Sequence, residues 1–264
     1  GDGVNDGPAL RAADVGIAMG AGGTEVARQA ASIVLAGDDL DGILRAMALG
    51  RATTGNIRKV LRYLVSTNLS ESLVMLGAAG LGLPEPLSPM QLLWLNLVSD
   101  VAPALALGLD APEGDELRRP PRPTGVALLG RAEMVRIGRE GAVMAAATLA
   151  VQLFAGRGQA GAPVVFHAMT LAQLLHALAS RSDRRGVAET LRHGPPNRLL
   201  LGAVGGGLAL QAAAQALPPL RRLLGLGPLT PGGALAAMVA GFGALALNEA
   251  ISAASRGRGV SDAG

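Results

Sequence analysis

The chain has 264 residues, half of them hydrophobic and only 16% charged, with a formal net charge of +3. That balance speaks against an ordinary soluble domain and against a nucleic-acid binder, whose basic residues would cluster on one face, whereas here they are almost all arginine and fall between apolar segments. The absence of cysteine excludes disulfides and thiolate metal sites, and abundant Ala, Gly and Leu beside one Trp and one Tyr favour apolar helices packed through small residues.

The first fifty residues read as α/β. The chain opens on GDGVNDGPAL, where a glycine-rich turn carrying Asp2, Asn5 and Asp6 can aim two carboxylates and an amide at one hard cation such as magnesium. Any three of these residues would be an ordinary turn; ten in succession are more specific. A helix follows over 8–13, with Pro8 near its start where the missing N–H costs little. Then come a strand over 15–19, a loop over 20–23, a helix over 25–31 capped by Thr24, a strand over 32–36 and a helix over 38–50. The alternation suits the closing third of a doubly wound sheet, and about fifty residues bury too little surface to fold alone.

From Arg51 the character changes. Arg51, Arg58, Lys59 and Arg62 mark a basic helical stretch over 51–62, leading into apolar segments at 63–83, 92–109, 137–155, 162–179, 199–217 and 232–254. Each approaches the length a bilayer requires, although the first and third are interrupted by Asn68, Glu71 and Gln152. The expected organisation is an α/β piece at 1–50, a stalk at 51–62, a six-helix membrane bundle at 63–254 and a tail at 255–264. Arginine placement orients it. The 51–62 stretch, the loop with Arg118, Arg119, Arg122 and Arg131, the loop with Arg181, Arg184, Arg185, Arg192 and Arg198, and the tail with Arg256 and Arg258 share one side. The other side has Arg157, Arg221 and Arg222. Both ends are therefore expected in the cytoplasm, in a multi-pass protein of the cell membrane whose first partner is the lipid bilayer.

Intramembrane carboxylates are costly and mark ion or proton pathways. Asn68 and Glu71, three apart, share one face of the first span; Asn96, Ser99 and Asp100 share one face of the second. The short 82–89 loop makes the two spans neighbours, so the polar faces can meet. Two negative charges among oxygen ligands suit a hard divalent cation such as calcium, and Gln173 and His176 of the fourth span could add a neutral ligand. The competing reading is a hydrogen-bonded network that only packs helices.

The opening GDGVNDGPAL resembles the hinge motif, GDGxNDxPAL, of P-type cation-transporting ATPases, which closes their haloacid-dehalogenase-like phosphorylation domain. RYLVSTNLSE at 62–71 and GLPEPLSPMQLLWLNLVSDVAPALALGLD at 82–110 are similar to the fifth and sixth spans of calcium-type pumps. The resemblance implies that Asn68, Glu71, Asn96, Ser99 and Asp100 are ligands of the transported cation and Gln173 a weak one. It implies that Asp2 and Asp6 hold Mg2+ and that Asn5 positions the phosphoryl group. It further implies that the 51–62 helix transmits strain between these places. RRPPRP at 118–123 matches the loop that follows in the family; later spans are similar mainly in hydropathy and spacing.

There are departures. Ser99 stands for the family's Thr and keeps a hydroxyl, Val101 stands where a Gly is common and stiffens an unwound stretch of the helix, and Gln173 replaces an acidic ligand, leaving at most one well-formed site. The family's DKTGT phosphorylation site, TGES motif, nucleotide-binding domain and first four spans have no counterpart in these residues, so ATP is expected to bind mainly on a missing upstream half, and the chain alone is expected to be inactive. The resulting expectation is the C-terminal half of an ATP-driven divalent-cation pump, calcium preferred, working through an aspartyl-phosphate. The alternatives are a non-catalytic membrane module pairing with a partner that carries the missing half, and a phosphatase of the haloacid-dehalogenase type fused to a membrane anchor.

Overall fold

The computed structural model describes residues 1–118, 120, 125–155 and 161–261, with side chains at all of these but 155, 161 and 256–261. Expectations for Arg119, Arg122, Arg157, the prolines at 121 and 123, residues 262–264 and the side chains of Arg256 and Arg258 lie outside the described residues. The chain divides into two units, Gly1–Thr54 with Pro112–Pro121, and Gly55–Ala111 with Arg122–Gly264.

In the first unit the α/β alternation is present in small. A 3-10 turn, Val4–Asp6, runs into α1 (Gly7–Ala12), then β1 (Ile17–Met19), α2 (Glu25–Ala30) and β2 (Ile33–Leu35). The strands pair in parallel, Ile17 with Ile33 and Met19 with Leu35, with α2 as the crossover that a parallel pair needs. Thr24 caps α2 as expected, its hydroxyl accepting from the Ala27 N–H at 3.4 Å. Leu10, Ala18 and Ala27 form the small core. Gly16 is required where α1 passes β1, because a Cβ there would lie 2.3 Å from the Leu10 carbonyl oxygen. Asp38, at φ +53°, accepts from the N–H groups of Ala21 and Gly22, at 3.0 and 2.6 Å, and so pins the 20–23 loop.

One helix replaces three expected pieces. α3 runs unbroken over Asp41–Gly80, joining the 38–50 helix, the basic stretch and the first apolar segment. No proline interrupts those residues, and nothing else in them stops a helix.

In the second unit, α4 (Pro89–Leu95), a π-helix (Asn96–Val101) and α5 (Ala102–Gly108) form one continuous rod. The expectation of an unwound stretch beside Asp100 is corrected: the helix stays wound there, with a wider turn. Ser88 starts the rod through a reciprocal cap with Gln91. Then follow α6 (Arg131–Ala155), α7 (Gly161–Ala179), α8 (Val187–His193), α9 (Arg198–Ala216), α10 (Pro218–Leu223) and α11 (Pro231–Ser261).

Among the described residues, four helical stretches are long and apolar enough to cross a membrane: Pro89–Gly108, Ala162–Ala179, Arg198–Ala216 and Pro231–Ser255. The protein is thus a mainly helical membrane protein. The first and third expected segments do not meet that measure. α3 carries Ser66, Thr67, Asn68, Ser70, Glu71 and Ser72 in a row, and α6 carries Arg136, Arg139, Glu140 and Gln152. α7 is the innermost span: 78% of its apolar window is buried, against 28% for α9 and α11. It is seated through glycine, as membrane helices without a hydrophobic drive between them require. A Cβ on Gly241 of α11 would lie 2.6 Å from Leu171, and one on Gly207 of α9 2.9 Å from Leu174.

Candidate functional sites

In the opening loop, Asp6 turns back on its own turn. Its Oδ2 accepts from the N–H groups of Asp2 at 2.8 Å and Gly3 at 3.1 Å. The Gly3 and Asp2 N–H groups hold its carboxyl below the usual carboxylate range. The loop is fixed to the start of α2, since Thr24 donates its N–H (2.7 Å) and its hydroxyl (3.2 Å) to the Asp2 carbonyl. Asp2 and Asn5 are exposed. An ionised, pre-oriented Asp6 beside an open Asp2 and the Asn5 amide is an oxygen-only set that fits a hard cation such as magnesium.

The second constellation lies wholly within the second unit. The π-helix buries Ser99 completely and leaves Asp100 5% exposed; Glu71 on α3 is 7% exposed and Gln173 on α7 is fully buried. Asn68 donates from Nδ2 to Asp100 Oδ2 at 3.3 Å, and Gln173 donates from Nε2 to Glu71 Oε1 at 2.8 Å. Three oxygens then remain buried with no hydrogen-bond partner: Ser99 Oγ, Asp100 Oδ1 and Gln173 Oε1. An orphaned buried acceptor costs on the order of 1–3 kcal/mol, more for a charged one, so three together need a partner of another kind. Asn96 is half-buried and makes no side-chain hydrogen bond among the described residues. His176 does not join the set, since its Nε2 lies 2.8 Å from Ser66 Oγ and 3.3 Å from Ser180 Oγ.

Spacing alone missed two buried ion-pair networks. Glu140, 1% exposed on α6, takes Arg62 Nε at 2.8 Å and Nη2 at 2.5 Å, with Arg136 Nε at 3.0 Å. Arg62 and Arg136 also share Asp183, at 2.9 and 2.8 Å. Burial opposes ionisation of Asp183, but the Arg62 and Arg136 guanidiniums outweigh it and hold its carboxyl below the usual range. The second network centres on Asp110, just past α5, which accepts from Arg181 Nε at 3.1 Å, Asn197 Nδ2 at 2.9 Å and Lys59 Nζ at 3.3 Å. The sequence did hold one signal: Glu140 is a carboxylate inside an apolar segment, as Glu71 and Asp100 are.

Tyr63 was also missed. It is fully buried on α3 and donates its hydroxyl to the Ser99 carbonyl inside the π-helix.

Comparison with known proteins agrees with this picture. The family described as "Cation transporting ATPase, C-terminus" matches residues 84–254. The chain is 38% identical over 237 residues to a calcium-transporting ATPase of Bacillus subtilis (strain 168), an alignment covering 88% of this chain and 26% of that protein. It is 35% identical over 230 residues to mouse calcium-transporting ATPase type 2C member 2, covering 84% of this chain and 24% of that protein. It is 52% identical over 122 residues to a probable calcium-transporting ATPase of Trypanosoma brucei brucei, covering 46% of this chain and 12% of that protein. The chain spans about a quarter of the length of the Bacillus and mouse relatives. With the family matched over more than half of its residues, the chain belongs to the P-type cation-transporting ATPases and carries their C-terminal membrane region.

Proposed function

We propose that this chain is the transport half of an ATP-driven pump that moves a divalent cation, calcium by preference, across the cell membrane. The observation that carries the reading is the trio of buried, unpartnered oxygens on Ser99, Asp100 and Gln173, set beside the carboxylates of Glu71 and Asp100. A cation of the calcium class takes six to eight oxygens, and the Asn68 amide, Asn96 and the two carboxylates add to that trio. Relatives named as calcium-transporting ATPases support the ion. The aspartyl-phosphate of such a pump would form on residues outside this chain, with ATP held there too. Asp2 and Asp6 would hold Mg2+, with Asn5 beside the phosphoryl group; the ion would neutralise phosphoryl charge. The first fifty residues would then close a haloacid-dehalogenase-like domain, and α3, unbroken from Asp41 to Gly80, would couple that chemistry to Asn68 and Glu71. Six spans, with α3 and α6 as the polar ones, and both ends in the cytoplasm follow from the arginine distribution.

The test is cation-stimulated ATPase activity of the full-length pump in reconstituted vesicles. Asp100→Asn should abolish calcium stimulation, because one carboxylate then faces a divalent ion in a poorly solvated place. Gln173→Ala should do far less, since a neutral amide is a weak ligand. Near-normal stimulation in both would leave these residues as helix packing only. A response to monovalent ions alone would keep the pump and discard calcium.

A further inference from the structure

From the contacts of the π-helix we infer that Tyr63 is a positioning residue of the cation site, holding the wide turn in the shape that aims Ser99 and Asp100 inward; the inference rests on the cation-pump reading above. Asp100 and Glu71 are both buried, and Asn68, one turn before Glu71 on α3, reaches Asp100 Oδ2 at 3.3 Å, which sets the two carboxylates on facing sides of one contact. Without an ion between them, repulsion and the orphaned oxygens favour rewinding the 96–101 turn to ordinary α-helix, which would swing Asp100 away. Something uncharged must oppose that, and a π-turn inside an otherwise regular rod marks where such opposition acts.

Tyr63 meets the requirement in three ways. Its hydroxyl donates to the Ser99 carbonyl, which fixes the peptide between Ser99 and Asp100 and with it the direction of the Asp100 side chain. The bond also turns that carbonyl toward α3, so the turn offers side-chain oxygens to an ion in place of this backbone oxygen. The ring itself cannot drift. It is fully buried among Ala106, Leu107, Leu174 and Ala177, and it stacks on the His176 imidazole with centroids 6.0 Å apart and planes at 25°. His176 is held in turn by Ser66 and Ser180. Tyr63 touches no ion; it acts through Ser99 and Asp100, as a support that keeps ligands in place before the ion arrives.

The experiment uses the full-length pump in lipid nanodiscs, titrated with calcium chloride and read by equilibrium calcium binding. Tyr63→Phe keeps the ring and removes only the hydroxyl. The expected result is calcium binding weakened about tenfold, the size of one lost hydrogen bond, with unchanged binding capacity and a small fall in thermal midpoint as the Ser99 carbonyl loses its donor. Leu107→Ala, from the same apolar cluster, should lower the midpoint and leave the affinity alone. Tyr63→Phe with wild-type affinity overturns the positioning role and leaves the cation site standing. A wild-type pump that gives no saturable calcium binding, behaving like Asp100→Asn, overturns the site and the positioning role together.

Discussion

Single residues in this protein do unlike work with like chemistry. Glu71, Asp100 and Glu140 are all carboxylates nearly removed from solvent, yet Glu140 is surrounded by guanidinium N–H groups while Asp100 keeps one oxygen with no partner. The first arrangement neutralises charge; the second holds charge in reserve. Buried pairs of the first kind add little net stability, but breaking one strands its partner. Glu140→Met should therefore destabilise the protein by about 3–5 kcal/mol, because Arg62, 5% exposed, loses its chief counter-ion. Arg62→Met with Glu140→Met should recover a good part of that loss. Thermal unfolding in detergent measures both, and a double variant no more stable than Glu140→Met would show that the two charges are not coupled.

At the scale of elements, the apolar runs were plain in the sequence: the 162–179 and 199–217 segments fall on α7 and α9 nearly end to end. The Asn68 and Glu71 face, the Ser99 and Asp100 face, and their meeting across a short loop were legible too, because helical spacing and loop length decide them. Three features were not. The single α3 was cut into three by its changes of composition, which do not end a helix. The π-turn carries no pattern that a 3.6-residue period can show. Tyr63 and Glu140 take their meaning from partners 36 and 78 residues away, which spacing cannot see. Helix packing is likewise set by particular positions. Gly241→Ala puts a methyl 2.6 Å from Leu171 and should cost about 1–3 kcal/mol, whereas Gly243→Ala, with nothing within 4 Å, should be neutral or mildly stabilising. Unfolding midpoints of the two variants check this, and equal midpoints would mean that α7 and α11 pack less tightly than these distances require.

For the whole molecule, the number of crossings is the open quantity that function depends on. Among the described residues, four helical stretches qualify by length and hydropathy, while α3 and α6 are long but polar. Their polar residues are largely buried against other helices: Ser66, Ser70 and Glu71 on α3, Glu140 and Thr148 on α6. That is the arrangement expected of spans whose polar side faces the bundle and not the lipid. With the N-terminus in the cytoplasm, six crossings and four crossings place the 82–89 loop on opposite sides, and the 181–198 loop on the same one. If α3 and α6 cross, Glu85 and Arg222 lie outside and Arg192 lies in the cytoplasm, in keeping with the arginine-rich loops. If neither α3 nor α6 crosses, Glu85 stays in the cytoplasm with Arg192 and only Arg222 of the three lies outside. The absence of native cysteine makes the decision clean, since a single introduced thiol is the only one to react. All three positions are exposed or close to it, so Glu85→Cys, Arg222→Cys and Arg192→Cys should tolerate labelling. In sealed, correctly oriented membranes, an impermeant maleimide should modify the first two, and the third only after the membrane is opened. A Glu85→Cys thiol that reacts only after the membrane is opened, while Arg222→Cys reacts at once, would set the count at four and remove α3 as the membrane-crossing link to the Asn68 and Glu71 face.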